Sequence, residues 1–134
     1  MKKADIMAAT LFALIMQPTV ASELPPLSSQ SGIDRSMLWA GLAIETSEKC
    51  PSISLRKLKG ISFLWSVRSD ASKLGYSDDQ IRAYVESDAE KARIRQVGEA
   101  YIRSKGFDPS TETGICAFGQ AEIVRGSIIG GFLR

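Results

Sequence analysis

Apolar residues recur along this chain at helical spacing, and no stretch shows the alternation of period two that a half-buried strand requires. Asp34 is placed as the N-cap of a first helix that runs to about Lys49. Met37, Leu38, Leu42 and Ile44 supply its apolar positions, and Pro51 stops it. Ser52 or Ser54 is placed to cap a second helix running to Leu74. Gly75 follows in the left-handed position just past a helix end, with Tyr76 as its apolar latch. In this second helix Leu58, Ile61, Phe63, Leu64, Trp65, Val67, Ala71 and Leu74 cover more than half of the circumference, against a narrower polar stripe that includes Lys59, Ser66 and Lys73. So wide an arc predicts the central helix of a bundle, packed on several sides, with Gly60 leaving room for a close neighbour.

The stretch "YSDDQI" is a helix start, with Ser77 as N-cap, Gln80 three residues on, and Asp78 and Asp79 in the first turn. Ten residues later "ESDAEK" repeats it with Ser87 and Glu90. Ile81, Val85, Ala89 and Ala92 share one side, whereas Ile94, Val97 and Tyr101 lie roughly opposite. A straight helix cannot bury two opposed sets in one core, so a break or kink is predicted near Ser87. The second piece ends at Gly106, and Asp108 to Gly114 forms a polar loop. A further helix is predicted from Ile115 or Cys116 to Arg125, ended by Gly126, with Ser127 capping a final turn. The expected fold is all-α: a single-domain bundle of about five helices, one kinked or split, over residues 34–134.

The first residues point to export. Lys2 and Lys3 precede an uncharged apolar run of 11 residues, Ile6 to Met16, and small residues follow, with cleavage expected after Ala21. A membrane anchor is the alternative, but a spanning helix needs about 20 apolar residues. Residues 1–21 are therefore read as a signal peptide and 22–33, polar and proline-bearing, as a flexible linker. The expected compartment is the periplasm or the exterior, with no stable membrane insertion after cleavage. Lys2, Lys3 and Asp5 leave with the leader, so the 17 basic and 15 acidic residues of the whole chain become 15 and 14. A surface so evenly mixed makes no electrostatic case for nucleic acid.

Cys50 and Cys116, 66 positions apart, are the two cysteines of the chain. In an exported protein an even count reads first as a disulfide, here tying the first helical connection to the last helix. Zinc is a poorer reading because the chain has no histidine, and the spacing rules out a C-x-x-C redox pair. A reactive thiol at Cys116, near a helix N-terminus, stays open as the third reading.

Little else in the chain speaks for catalysis. The absence of histidine removes Ser-His-Asp and Cys-His arrangements. Carboxylates are plentiful, but those of "SDDQ" and "ESDAE" are accounted for as helix starts. The late "GSIIGGF" is glycine-rich without the preceding strand or the lysine of a phosphate loop. No cofactor or metal is expected. Glu45 and Arg68 sit where apolar residues would be expected on their helices; they either reach solvent along their stems or form a buried ion pair across the bundle. "LRKLKGISFLWSVR" could be read as a basic membrane-surface helix, but its apolar arc is too wide. Ile128, Ile129, Phe132 and Leu133 crowd the last seven residues, where they either fold back over the core or contact a partner.

Three segments together resemble a known family: "CPSISLRKLKGISFL", "LGYSDDQIRAYVESDAEKARI" and "GICAFGQAEIVRGSIIGGFLR". They are similar to small exported bacterial helical proteins with one cysteine pair, a family known only as a domain of unknown function. The resemblance spans most of the chain after the leader and implies no catalytic residues. The functional expectation is an exported binding or accessory protein of unknown specific role, protein-binding rather than catalytic. The alternatives are a periplasmic stress chaperone that exposes apolar surface at low pH and an enzyme using carboxylates.

Overall fold

The computed structural model describes residues 23–134; the expected leader and its cleavage site at Ala21 lie outside the described residues. After a short 3-10 turn, Leu27–Ser29, come helices α1 (Ser31–Lys49), α2 (Lys57–Lys73), α3 (Asp78–Glu86), α4 (Asp88–Ser104), α5 (Glu112–Arg125) and the single turn α6 (Ile128–Gly131). Among the described residues the only β pairing is an isolated antiparallel bridge, Leu55 to Leu133. The fold is all-α.

Local punctuation behaves as its chemistry dictates. Ser77 and Gln80 form a reciprocal capping box at the start of α3. Ser87 closes α3 and caps α4, its hydroxyl accepting from the Glu90 N–H, so the helix breaks there as expected. Ser127 caps α6 in the same way. Gly75, Gly106 and Gly126 take positive φ just beyond α2, α4 and α5. After α2, the Tyr76 N–H reaches back to the Ala71 carbonyl and the Tyr76 side chain is buried. Two helices begin a turn earlier than expected. In α5, Thr111 is the cap, its hydroxyl accepting from the Gly114 N–H at 3.0 Å. In α1, Asp34 does not cap the helix but lies in its first turn, where it accepts from Tyr84 and Arg93.

The stretch read as a linker, 22–33, is also corrected. Leu27 and Ile33 are buried with Val67, Ala71, Tyr76 and Ile81. The Tyr76 hydroxyl donates to the Pro25 carbonyl at 2.6 Å. Two apolar side chains in a polar run are enough to dock it, because α2 and α3 offer them a cleft.

The main core lies at the other end, where Cys50 Sγ bonds Cys116 Sγ with the Cα atoms 5.2 Å apart. This bridge joins the end of α1 to the second turn of α5, around Leu42, Ile53, Ile102, Ile115 and Phe118. A Cβ added to Gly119 would stand 2.6 Å from Ile53 Cδ1 and from Thr46 Cγ2, so the missing side chain lets α1 and the following loop seat on α5. At Gly130 a Cβ would lie 2.0 Å from the Glu122 carbonyl oxygen, so α6 folds against the end of α5 only with glycine there.

The tail is therefore core. Ile129, Phe132 and Leu133 are buried, so of the two readings of the tail these three fold back over the core and are corrected as partner contacts; Ile128 alone of the four is exposed. Reciprocal backbone hydrogen bonds between Ser54 and Arg134, and one from Arg56 to the Phe132 carbonyl, hold the tail along the chain that leads into α2. Ser54 is thereby occupied, and neither it nor Ser52 caps α2, which begins at Lys57 with no side-chain cap.

The largest correction concerns α2 itself. It buries Val67 and Ala71, yet leaves Leu58 83%, Trp65 61%, Ile61 52% and Leu64 40% exposed. Nothing lies within 4 Å of a Cβ placed on Gly60, so no helix approaches there. The central helix is α1, which meets α2, α4, α5, α6 and the 3-10 turn. Trp39, on α1, packs against the core, edge-on to Tyr101 at 5.2 Å; Trp65 does not.

Candidate functional site: an open apolar groove

The exposed side of α2 is one wall of a groove of about 960 Å3. α2 and α4 each lie against α1 without packing extensively on one another. Between them the α1 residues Ala40, Gly41, Ile44 and Glu45 form a floor. Ile61, Leu64, Trp65 and Arg68 make one wall, and Lys91, Ile94, Arg95 and Gly98 the other. Ile81, Tyr84 and Val85 of α3 close one end. The floor is deep because two glycines let α1 and α4 come together: a Cβ on Gly41 would stand 3.1 Å from Ile94, and one on Gly98 3.1 Å from Leu42.

A smaller apolar hollow of about 220 Å3, among Ala43, Leu55, Gly60, Phe63 and Phe132, adjoins the groove toward the start of α2, and Ala40, Ile44, Ile61 and Leu64 line both. α2 thus rests on α1 along a narrow seam, with open apolar space beside it. Its spacing explains why: the buried residues Val67 and Ala71 and the half-buried Phe63 lie four residues apart on one stripe. Leu58, Ile61 and Trp65, three and four residues apart, form a second, exposed stripe, of which Ile61 and Trp65 line the groove.

Glu45 and Arg68 both line this groove, but they do not pair across it. Glu45 is bound by Lys49, one turn later on α1, at 2.6 Å. Arg68 is bound by Asp78 at 2.9 Å, because the turn at Gly75 brings the acidic start of α3 beside the end of α2. The Arg68 guanidinium also sits 5.1 Å from the centroid of the Trp65 ring, which holds the indole against the wall. The expected pair is thus replaced by two nearer partners. Lys91 contacts Asp88 at 3.8 Å, and Arg95 has no ion pair among the described residues.

Behind the α3 end of the groove is a polar cluster that the sequence did not announce. Arg93 donates to both oxygens of Asp34 and to Glu90, and Tyr84 donates to Asp34 at 2.9 Å. Burial, reinforced by this hydrogen bond, pushes the Tyr84 phenol well above its usual range. The cluster ties α1, α3 and α4 together and orients the wall. Glu122 is the other surprise: only 2% exposed, it accepts from Ser127 and Arg125 and so locks α6 onto α5, away from the groove. Its legible signal was an acid three residues before an arginine at a helix end. Among the described residues there is no group of three or more His, Cys, Asp or Glu arranged to hold a metal ion. No helix described is long and apolar enough to cross a membrane.

What the arrangement can do is hold an elongated apolar object that keeps one side in water. A family model, described as a family of unknown function (DUF5333), matches residues 25–134, from the docked segment before α1 to the last residue. Neither a curated protein nor a solved structure matches the chain.

Proposed function

We propose, for a chain that belongs to the family of unknown function DUF5333, a role in binding: the groove between α2 and α4 takes an amphipathic helix of a protein partner. The observation that carries this reading is an apolar trough whose two walls are helices that do not pack extensively on one another. Ile61, Leu64, Trp65 and Arg68 on one wall, and Lys91, Ile94, Arg95 and Gly98 on the other, present the three- and four-residue ridges between which a helix seats. The trough is about half open to solvent. A small apolar ligand would leave much of itself in water there, whereas an amphipathic helix has a polar side to leave in it. The Cys50–Cys116 bridge and the leader read at residues 1–21 support a periplasmic or secreted setting for this binding.

The test uses a fluorescently labelled synthetic amphipathic peptide of leucine, alanine and glutamine, about five helical turns long. Its anisotropy is expected to rise saturably with the protein, and Leu64→Asp or Ile44→Asp is expected to weaken binding about tenfold or more. Equal affinity for the variants and the unaltered protein would rule the groove out as the binding site.

A further inference from the structure

The charges around the groove specify what kind of helix it takes. Residues 23–134 carry 15 basic and 14 acidic side chains. Four of the basic ones (Lys49, Arg68, Lys91 and Arg95) and two of the acidic ones (Glu45 and Glu48) line the groove. The lining is therefore net positive by two and the remainder of the described chain net negative by one, with Asp78 and Asp88, beside the lining, facing Arg68 and Lys91. Within the lining, Glu45 is already held by Lys49 at 2.6 Å, which removes the acid nearest the floor from contact with a guest. Arg68 stands on the α2 wall at the end towards α3, held over the Trp65 ring and bound by Asp78 at 2.9 Å, with its side chain still partly exposed to a guest. Lys91 and Arg95 stand one turn apart on the α4 wall; the first has only a 3.8 Å contact with Asp88, and the second has no ion pair among the described residues. Cations thus top both walls of an apolar trough.

We infer that the partner helix is acidic: its apolar face enters the groove and carboxylates flank that face, opposite Lys91 and Arg95 on one side and Arg68 on the other. This inference rests on the groove being a helix-binding site. Carboxylates spaced three or four residues apart along such a helix share one side, which is also the spacing of Lys91 and Arg95. Complementary charge on the rim of an interface sets partner choice and speeds encounter. A second copy of this chain fits less well. Its exposed apolar stripe, Leu58, Ile61 and Trp65, is flanked by Lys57, Lys59 and Arg68, and would bring like charge to like. A lipid surface fits less well too, since the apolar lining is recessed between two helices and a flat bilayer cannot reach it.

The experiment compares three labelled peptides with one apolar face and with flanks of glutamate, glutamine or lysine, using the oxidised protein. Affinity is expected to fall in that order, with the glutamate peptide about tenfold tighter than the lysine peptide at low salt and the gap closing as salt is raised. Lys91→Glu combined with Arg95→Glu is expected to invert the order, while circular dichroism and the melting temperature confirm that the variant is folded. Equal binding of all three peptides, preference for the lysine flank, or an order unchanged by the double reversal would overturn the acidic partner and leave the groove reading standing. Failure of every peptide to bind would overturn the groove reading itself. Sedimentation with phosphatidylglycerol vesicles that the double reversal abolishes would replace the acidic helix with a lipid surface. A concentration-dependent dimer lost on Leu64→Asp would replace it with a second copy.

Discussion

The disulfide end of the molecule and its groove side use similar residues to opposite effect. Around Cys50–Cys116, Ile102, Ile115, Phe118 and Leu133 are fully enclosed, because α1, α5, α6 and the chain leading into α2 all converge there. Along α2, Leu58, Ile61, Leu64 and Trp65 are equally apolar and remain in contact with solvent. The difference lies in neighbours rather than in hydrophobicity. At the disulfide end, Gly119 and Gly130 remove the side chains that would hold elements apart, and the closing contacts are backbone on side chain or backbone on backbone. On the groove side α2 has a single broad support, α1, and Gly60 is approached by nothing. A wide apolar arc states how much surface a helix has to cover, and says nothing of whether its own chain supplies the cover.

Breaking the enclosed end should cost most. Replacing Cys50 and Cys116 together with alanine frees a loop of 66 positions in the unfolded chain, for an expected loss of about 4 kcal/mol in urea unfolding. A loss near zero would mean that packing alone closes this end. Gly130→Ala comes next. Its new methyl meets the Glu122 carbonyl, a backbone atom that cannot turn aside, and the expected loss is about 2 kcal/mol. A melting temperature equal to that of the unaltered protein would show that α6 can shift without consequence.

Tyr84 stands at the α3 end of the groove, and its effect is smaller. Tyr84→Phe removes one hydrogen bond to Asp34 and is expected to cost about 1 kcal/mol. Because burial, and then that bond, raise the phenol's pKa in the fold, the unfolded chain gives up this proton first as the medium becomes alkaline. The stabilisation is thus present below the ordinary tyrosine value, about pH 10, and is lost as pH rises beyond it. Unfolding followed from pH 8 to about 11 should show a steeper alkaline decline for the unaltered protein than for Tyr84→Phe; parallel curves would contradict the assignment. Smallest of all should be Leu58→Ser, on the outer stripe of α2, expected to change stability by no more than about 0.5 kcal/mol. A loss of 2 kcal/mol or more would mean that this stripe is covered after all, and the contrast between the two regions would fail.

Much of the fold was legible because it is local. A serine three residues before a glutamine or glutamate competes for the same few N–H groups wherever it stands, and so Ser77 and Ser87 marked their helices correctly. A glycine that alone tolerates positive φ ends a helix regardless of what surrounds it, as Gly75, Gly106 and Gly126 do. The candidate site was less legible. Arg68 and Glu45 were rightly singled out as charges on apolar faces, and both line the groove. Their partners, Asp78 and Lys49, depended on a turn direction in one case and on a nearer residue in the other. Asp34 looked like a cap because the chemistry of a cap and that of an Arg93 acceptor are the same carboxylate.

By itself, then, the sequence determined the helical class, the helix stops at Gly75, Gly106 and Gly126, the starts at Ser77, Ser87 and Ser127, and the cysteine pair, all of which follow from short-range hydrogen bonding, backbone sterics or the count of two cysteines. Only the tertiary structure decided that the tail is core, that the segment before α1 is docked, and that α2 stands at the edge. Those outcomes depend on which surfaces meet across the whole chain. Periodicity along one helix orients its faces, but the number of neighbours each face finds is set by how α1, α4 and α5 cross, through close contacts such as those at Gly41, Gly98 and Gly119.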